Sequence, residues 1–431
     1  LLALGDTANN VQSAFDPRAM YDFDNNRFIV IYDNGSTPGT NEIVICFSKT
    51  SDPAGEWYSY AVTGNLRPFN QNVWMDYPQV AMTKDELFMT GNLFNANSQS
   101  PATGIWQIDL HDGYNGDPLD VATYVDGSIF SLSPFEGAPL ASGPGMHFIT
   151  KSRSSGRTFS LYEIPNTLGS GQATFRRVGS FTGQQSYSIP ANARQPGSVA
   201  ADGSDRLSTN DGRIMHALRV KDNLYFVAGT TVSGRPGIYL GKITISPLGP
   251  GFYGFETQTI SSADFDIGFP SITHAGQICE DGNGTKEDLF IAFNCASPTR
   301  FTSTGVYYVN IEGEVSDPLL THQGLANVRL TGDAGDPRNR WGDYTDVTIT
   351  GNPGEAFMTG YHTPSNGRHA TWISSFLASP DDECVAVSID REMPPVVESF
   401  KAYPNPTVDY IEFEFRVTEK AIYQAYVTDM Q

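Results

Sequence analysis

Cysteine is scarce in this chain. Four residues among 431 (Cys46, Cys279, Cys295 and Cys384) are too few and too scattered to frame a disulfide scaffold or a zinc site. Basic side chains are also short: 27 Lys and Arg face 48 Asp and Glu, a net charge of −21. Such a surface repels phosphate backbones and excludes nucleic acid as an expected partner. No run approaches the ~18 apolar residues of a spanning helix, so no membrane span is expected. Capped amphipathic helical runs are hard to find. G-x-S-x-G, H-E-x-x-H and glycine-rich phosphate loops are missing, which leaves no nucleophile or phosphate motif. No secretory leader is legible, because residue 1 already sits in folded-looking sequence; the true N-terminus is expected upstream.

What the chain has is turns and aromatics: 42 Gly, 27 Pro, 26 Phe and 20 Tyr. Gly and Pro punctuate short strands, and aromatic rings fill sheet faces. Six segments repeat one layout, in which an alternating strand, a tight turn and a more apolar strand are followed by a third strand. They begin at Pro17, Pro78, Pro139, Ile214, Pro270 and Tyr344, spaced 61, 61, 75, 56 and 74 residues apart. Turns such as Asp-Asn-Asn and Lys-Asp-Glu predict antiparallel hairpins, and each unit has room for a fourth, outer strand. The second strands (FIVIY, LFMTG, HFITK, LYFVA, LFIAF, AFMTG) are apolar on both faces, as expected where each sheet is sandwiched between two others. Four antiparallel strands repeated six times describe a six-bladed β-propeller. The rival arrangement is a pair of β-sandwich domains, whose strands would alternate more cleanly.

Ring closure needs an outer strand for the sixth unit, which either the residues before Asp16 or the CVAVSI segment from Cys384 could supply. In the hairpin model Cys279 and Cys295 fall at opposite ends of blade five, roughly 20 Å apart against a ~7 Å Cα limit, so no disulfide is expected between them unless the insertion folds back. Cys46 and Cys384 fall on ring neighbours, where a closing disulfide and free thiols both remain open. The expected organisation is an all-β chain: a propeller over 1–383, a linker or closing strand over 384–398, and a small, partial β-sandwich-type C-terminal domain over 399–431.

That last segment carries the turn Tyr403-Pro404-Asn405-Pro406-Thr407, followed by an alternating strand from Tyr410 to Val417. It resembles the opening of the C-terminal sorting domain of the type IX secretion system of Bacteroidota, in which a YPNP-type turn precedes the first strand. The resemblance covers under a tenth of the chain, and the later strands of that domain are absent. It implies export through the type IX machinery to the outer surface or the medium. DPRAMYD, SDPAGEWYSY and RWGDYTDV are similar to segments of uncharacterised secreted propeller proteins of such bacteria, a similarity that implies a fold and no activity.

The strongest polar cluster is Arg340-Trp341-Gly342-Asp343-Tyr344 at the entry to unit six. Its counterparts are Trp74-Met75-Asp76-Tyr77 in unit two and Asp16-Pro17-Arg18 in unit one. Innermost strands enter around one mouth of the channel, so Asp16, Arg18, Trp74, Asp76, Tyr77, Arg340, Trp341, Asp343 and Tyr344 are the binding candidates. Aromatic faces and charged groups on one rim suit a glycan or a peptide of a surface protein. The same residues read equally as pins of turns and seals between blades.

A sialidase-like activity would need an arginine cluster, a tyrosine nucleophile and acidic partners. Ser51-Asp52-Pro53-Ala54-Gly55-Glu56-Trp57 comes near that family's Asp-box, and Arg18, Arg194 and Arg340 could form the cluster, but no spacing demands it. The seven histidines are dispersed; His216 and His274 fall on first strands and read as core or channel residues. No cofactor other than calcium is suggested. Calcium is the metal candidate, at Asp281, Asn283, Thr285 and Asp288 in a glycine-rich loop that equally reads as a solvated hairpin. The leading expectation is an extracellular, non-catalytic binding, adhesion or assembly propeller, with polar loops 95–104, 184–210 and 297–304 as its recognition surface. A secreted glycan-active hydrolase and a subunit of a surface filament or sheath are the alternatives.

Overall fold

A computed structural model describes residues 13–137, 145–170, 174–198, 205–245, 253–275, 287–329, 339–350, 354–377, 397–403 and 412–417. The six repeats form the six blades of a β-propeller. Blade one runs Ala14–Asp22, Arg27–Asn34, Glu42–Ser48 and Trp57–Thr63, and blade two Trp74–Met82, Glu86–Phe94, Ala102–Asp109 and Val121–Asp126. In both, each strand pairs antiparallel with the next. Blades four and five repeat the order from Ile214–Val220 and Asp266–His274. In blades one, two, four and five the second and third strands are buried along most of their length, since each is covered on both faces. The strand Leu289–Ser297 is buried at every residue. The cores accordingly lie between blades: one cluster joins Leu240 and Ile260 of blade four to Ile272 and Phe293 of blade five.

Blade three departs from the expected layout. Its inner strand is Ser133–Pro134, upstream of the expected start at Pro139, and its second strand is Met146–Lys151. After Pro134 the chain crosses to the next blade, where Glu136–Gly137 pairs in parallel with Leu218 and Arg219. Proline lacks the donor needed to continue a ladder, which permits the switch at that point.

Blade six shows three strands among the described residues: Asp346–Ile349, Glu355–His362 and Ala370–Leu377. Of the segments expected to close the ring, Ala14 and Phe15 instead pair within blade one, with Asn34 and Asp33. The other segments, including Cys384, lie outside the described residues. Cys46 and Cys295 are buried free thiols, and Cys279 lies outside the described residues.

Near the C-terminus, Val397–Tyr403 pairs antiparallel with Glu412–Val417. A strand therefore precedes the Tyr-Pro-Asn-Pro turn and begins inside the expected linker. Pro404, Asn405 and Pro406 lie outside the described residues.

Inner strands start and second strands end on one face of the ring. The connectors between blades and the second hairpin turn of each blade share that face. This mouth carries the candidate site.

Candidate functional site

The inner strands enter the channel through a repeated bulge. In blades one, two and five the ladder shifts register at a residue–proline pair: Asp16-Pro17, Tyr77-Pro78 and Phe269-Pro270. Asp16, Tyr77 and Phe269 have φ of 49°, 63° and 53°. A left-handed backbone at a non-glycine residue costs ~1–3 kcal/mol. The bulge confines that cost to one residue, and the proline that follows has no amide to leave unpaired. The result is that Asp16 and Tyr77 turn toward the channel end.

There they meet residues from blades four and six. The rings of Tyr77 and Tyr344 lie 4.9 Å apart. The Arg18 guanidinium sits 3.7 Å over the Tyr344 ring, and that of Arg213 sits 3.9 Å over Tyr77. Arg18 Nε donates to Pro78 O at 2.9 Å, which ties blade one to blade two. Arg213 is held by the Asp211 carboxylate through Nε and Nη2, each at 2.9 Å. Tyr344 Oη donates to Asp16 Oδ2, and Tyr77 Oη donates to the Asp343 carbonyl at 3.3 Å. Burial drives the Tyr344 phenol well above its usual range, with Asp16 adding to the rise.

Three carboxylates converge beside these rings. Asp16, Asp33 and Asp76 each bring an oxygen within 4.8 Å of the others. Burial, followed by Asp16, pushes Asp76 up to about 7. Burial also raises Asp16, and raises Asp33 strongly, with Asp16 and Asp76 adding to the latter.

A second polar chain crosses blades four to six, beginning on the short strand that the blade-three segment adds to blade four. Glu136 Oε2 lies 2.8 Å from His216 Nε2, and His216 Nδ1 lies 2.8 Å from Ser271 Oγ. Ser271 Oγ donates in turn to Asp346 Oδ1 at 3.2 Å. Burial disfavours the imidazolium, but Glu136 outweighs it and holds His216 above its usual pKa. A serine–histidine–carboxylate order is the arrangement of a nucleophile relay. Ser271, however, is 1% exposed and shared between two partners, so the chain acts as a tie between inner strands.

The sequence candidates separate on this geometry. Asp16, Arg18, Asp76, Tyr77, Asp343 and Tyr344 come together at the mouth. Trp341 does not face it: the side chain is fully buried, edge-on to Phe269 in the seam that joins Ala193, Leu207 and Val328. Trp74 packs against Phe15 and Phe94. Arg340 is exposed and pairs with Asp343. The cluster that the sequence allowed for Arg18, Arg194 and Arg340 does not form. Arg194 is bound to Asp266, and Arg213 takes the place beside Arg18.

The Asp-box-like turn lies on the face opposite the mouth. There Asp52 Oδ1 accepts from Ala54 N, and Trp57 Nε1 donates to Pro53 O. Of the loop named as a calcium candidate, Asp288 is buried and accepts from Tyr308 Oη and Ile311 N. Asp281, Asn283 and Thr285 lie outside the described residues. His274 is buried. The expected recognition loop 297–304 is instead a tight hairpin, with Arg300 paired to Ser297 and the strand continuing through Thr302, Ser303 and Thr304. Its Thr/Ser run reads as a polar loop, yet these side chains are buried between blades. Within 184–210 the first four residues complete the strand Arg176–Tyr187. Within 95–104 the last three open the strand Ala102–Asp109.

No family model and no curated protein sequence matches this chain. Solved structures do match in fold. The GH93 α-L-arabinofuranosidase of Fusarium graminearum, in complex with arabinobiose, is 10% identical with a TM-score of 0.43, over 84% of this chain and 93% of that one. A mutant Trypanosoma rangeli sialidase with trans-sialidase activity is 9% identical with a TM-score of 0.40, over 85% of this chain and 54% of that one. The GH43 endo-arabinanase of Bacillus licheniformis is 11% identical with a TM-score of 0.32, over 70% and 97%. These are likenesses of fold.

Sequence reading missed Asp33, Glu136, Asp211, Arg213, Ser271 and Asp346. One signal was present for Asp33. It ends FIVIYD where the aligned second strands end in Asn92 and Asn294.

Proposed function

We propose that this chain is an exported, non-catalytic binding propeller that docks a surface glycan or surface protein on its channel-mouth face. The observation that carries the reading is the internal use of the mouth's reactive groups. Arg18 and Arg213 lie flat on Tyr344 and Tyr77, and the Tyr344 hydroxyl is engaged with Asp16. Guanidinium groups that receive a substrate carboxylate need open edges, and a nucleophilic phenol needs a depressed pKa.

Recognition is assigned to the connectors around the mouth. Phe69, Ile189 and Leu325 lie in three connectors between blades and are 70%, 54% and 66% exposed. Phe69 stands out because the backbone is strained to present it: Arg67, Phe69 and Asn70 have φ of 50°, 52° and 59°. The ring edge rests against Gly127 while most of the ring faces solvent, which leaves an aromatic face open to a ligand.

Export by the type IX machinery, and an extracellular or cell-surface location, rest on Tyr403, Pro404, Asn405 and Pro406. The antiparallel pair that flanks them is compatible with a β-type sorting domain.

The test is binding of the full chain to arrayed polysaccharides and to outer-surface proteins, with Phe69→Ala as the control. Loss of one anchoring ring is expected to weaken binding at least ~fivefold. An unchanged affinity removes Phe69 and its face from the reading.

One observation favours the hydrolase alternative, namely that Asp76 and Asp16 bring carboxylate oxygens within 4.8 Å of each other, with burial pushing Asp76 up to about 7, as suits a general acid. Turnover of chromogenic glycosides that disappears in Asp76→Asn would replace the binding reading with that one.

A further inference from the structure

The three mouth carboxylates pose a problem that hydrogen bonding does not solve. Asp33 is 0% exposed, and neither of its carboxylate oxygens has a hydrogen-bond partner. Most buried polar groups in a fold are satisfied, and an unpartnered buried carboxylate is costly. The neighbouring acids cannot help while all three are ionised, because oxygens of like-charged groups lie within 4.8 Å of one another.

The repeat shows what this position holds elsewhere. Asp33 faces Phe15 at the start of the bulge in blade one, as Asn92 faces Asp76 in blade two and Asn294 faces Gly268 in blade five. Both asparagines use Oδ1 to accept a backbone amide of the following blade: Asn92 from Ser131 N at 2.8 Å and Asn294 from Tyr361 N at 3.0 Å. Blade one instead has an acid at this position, aimed at two further acids. An amide would serve a purely structural staple without the charge.

We propose that Asp16, Asp33 and Asp76 form a binding site for a divalent hard cation, calcium, at the junction of blades one and two. Three carboxylates from two blades match its preference for several oxygen ligands in flexible geometry. Asp33 comes from the second strand of blade one, and Asp16 and Asp76 from the bulged inner strands of blades one and two. A bound ion would therefore clamp the two blades. Tyr344 Oη and Tyr77 N already hold Asp16 Oδ2 and Asp76 Oδ1 in place. The site stands apart from the 281–288 loop and does not depend on the binding reading.

The experiment uses the full chain stripped with a chelator, and terbium as a luminescent stand-in for calcium. Tyr344, bonded to Asp16, serves as the sensitiser. Terbium is expected to luminesce on tyrosine excitation and to be displaced by calcium. Calcium is also expected to raise the unfolding midpoint in a concentration-dependent way.

Asp33→Asn should weaken calcium binding at least ~tenfold, since it removes a ligand charge. Without calcium it should unfold at a higher temperature than the stripped wild type, because the uncompensated charge is gone. If Asp33→Asn does not fold, the more accessible Asp16→Asn carries the same comparison. No calcium-dependent luminescence or midpoint shift in the wild type would overturn the proposal. So would calcium binding that persists unchanged in the variants, which would place the ion elsewhere.

Discussion

Replacing Asp266 by alanine is expected to loosen blade five from the connector that leads into blade four. The Asp266 carboxylate is 1% exposed at the start of the inner strand of blade five. Oδ1 accepts from Arg194 Nη2 at 2.9 Å and from Arg235 Nε at 2.8 Å. Oδ2 accepts from Arg194 Nε at 2.9 Å and from the Arg194 amide at 2.8 Å. Truncating one partner of a buried charge network costs ~3–5 kcal/mol. The two arginines are 33% and 24% exposed and can turn partly to water, which favours the lower end, about 3 kcal/mol.

Burial alone would raise the Asp266 pKa, but the bonds from Arg194 and Arg235 outweigh it and hold it below the usual value. A carboxylate with a depressed folded pKa stabilises above its unfolded pKa and loses that contribution as the pH falls through the folded one. The gap between wild type and Asp266→Ala should therefore be full at neutral pH and narrow below about pH 4. Denaturant unfolding followed by tryptophan fluorescence reads both effects. In a double-mutant cycle with Arg235→Met, the paired change should cost less than the sum by at least ~1 kcal/mol. A stability loss under ~0.5 kcal/mol at neutral pH, or strict additivity, would refute the reasoning.

Gly342→Ala should destabilise by about 2–5 kcal/mol, read by the same unfolding assay. Gly342 has φ of +123°, and a Cβ there would lie 1.8 Å from the buried Tyr361 ring. Acid should also weaken the fold through His147 and His362. Burial, helped by Arg219 in one case and His322 in the other, lowers each to about 4 from 6.5. Between those values the unfolded state takes up a proton that the folded state refuses, so stability falls as the pH drops from 6.5 toward 4. Each histidine contributes up to about 3 kcal/mol to that slope. Replacing His147 with glutamine should flatten it in pH-dependent unfolding.

The sequence by itself determined the ring. Apolar second strands, hairpin turns and a six-fold repeat are local signals, and each blade is built from residues near in sequence. The entry positions of Asp16, Asp76, Tyr77 and Tyr344 followed from the same repeat, because inner strands of a ring must share one mouth. What each side chain does there was settled by contacts across the ring. Trp341 reads as a rim aromatic, but Phe269, Ala193 and Val328 bury it. The sequence left Arg194 free to join Arg18, but Asp266, 72 residues away, holds it. Arg213, just before a first strand, carries no local mark, and Asp33 only the acid that stands where other second strands end in asparagine. Their roles come from Tyr77 and from two other acids, brought together only when blades one, two and four close around one axis. Strand formation is a near-neighbour property of the chain, whereas charge, burial and protonation depend on everything within a few ångströms in space.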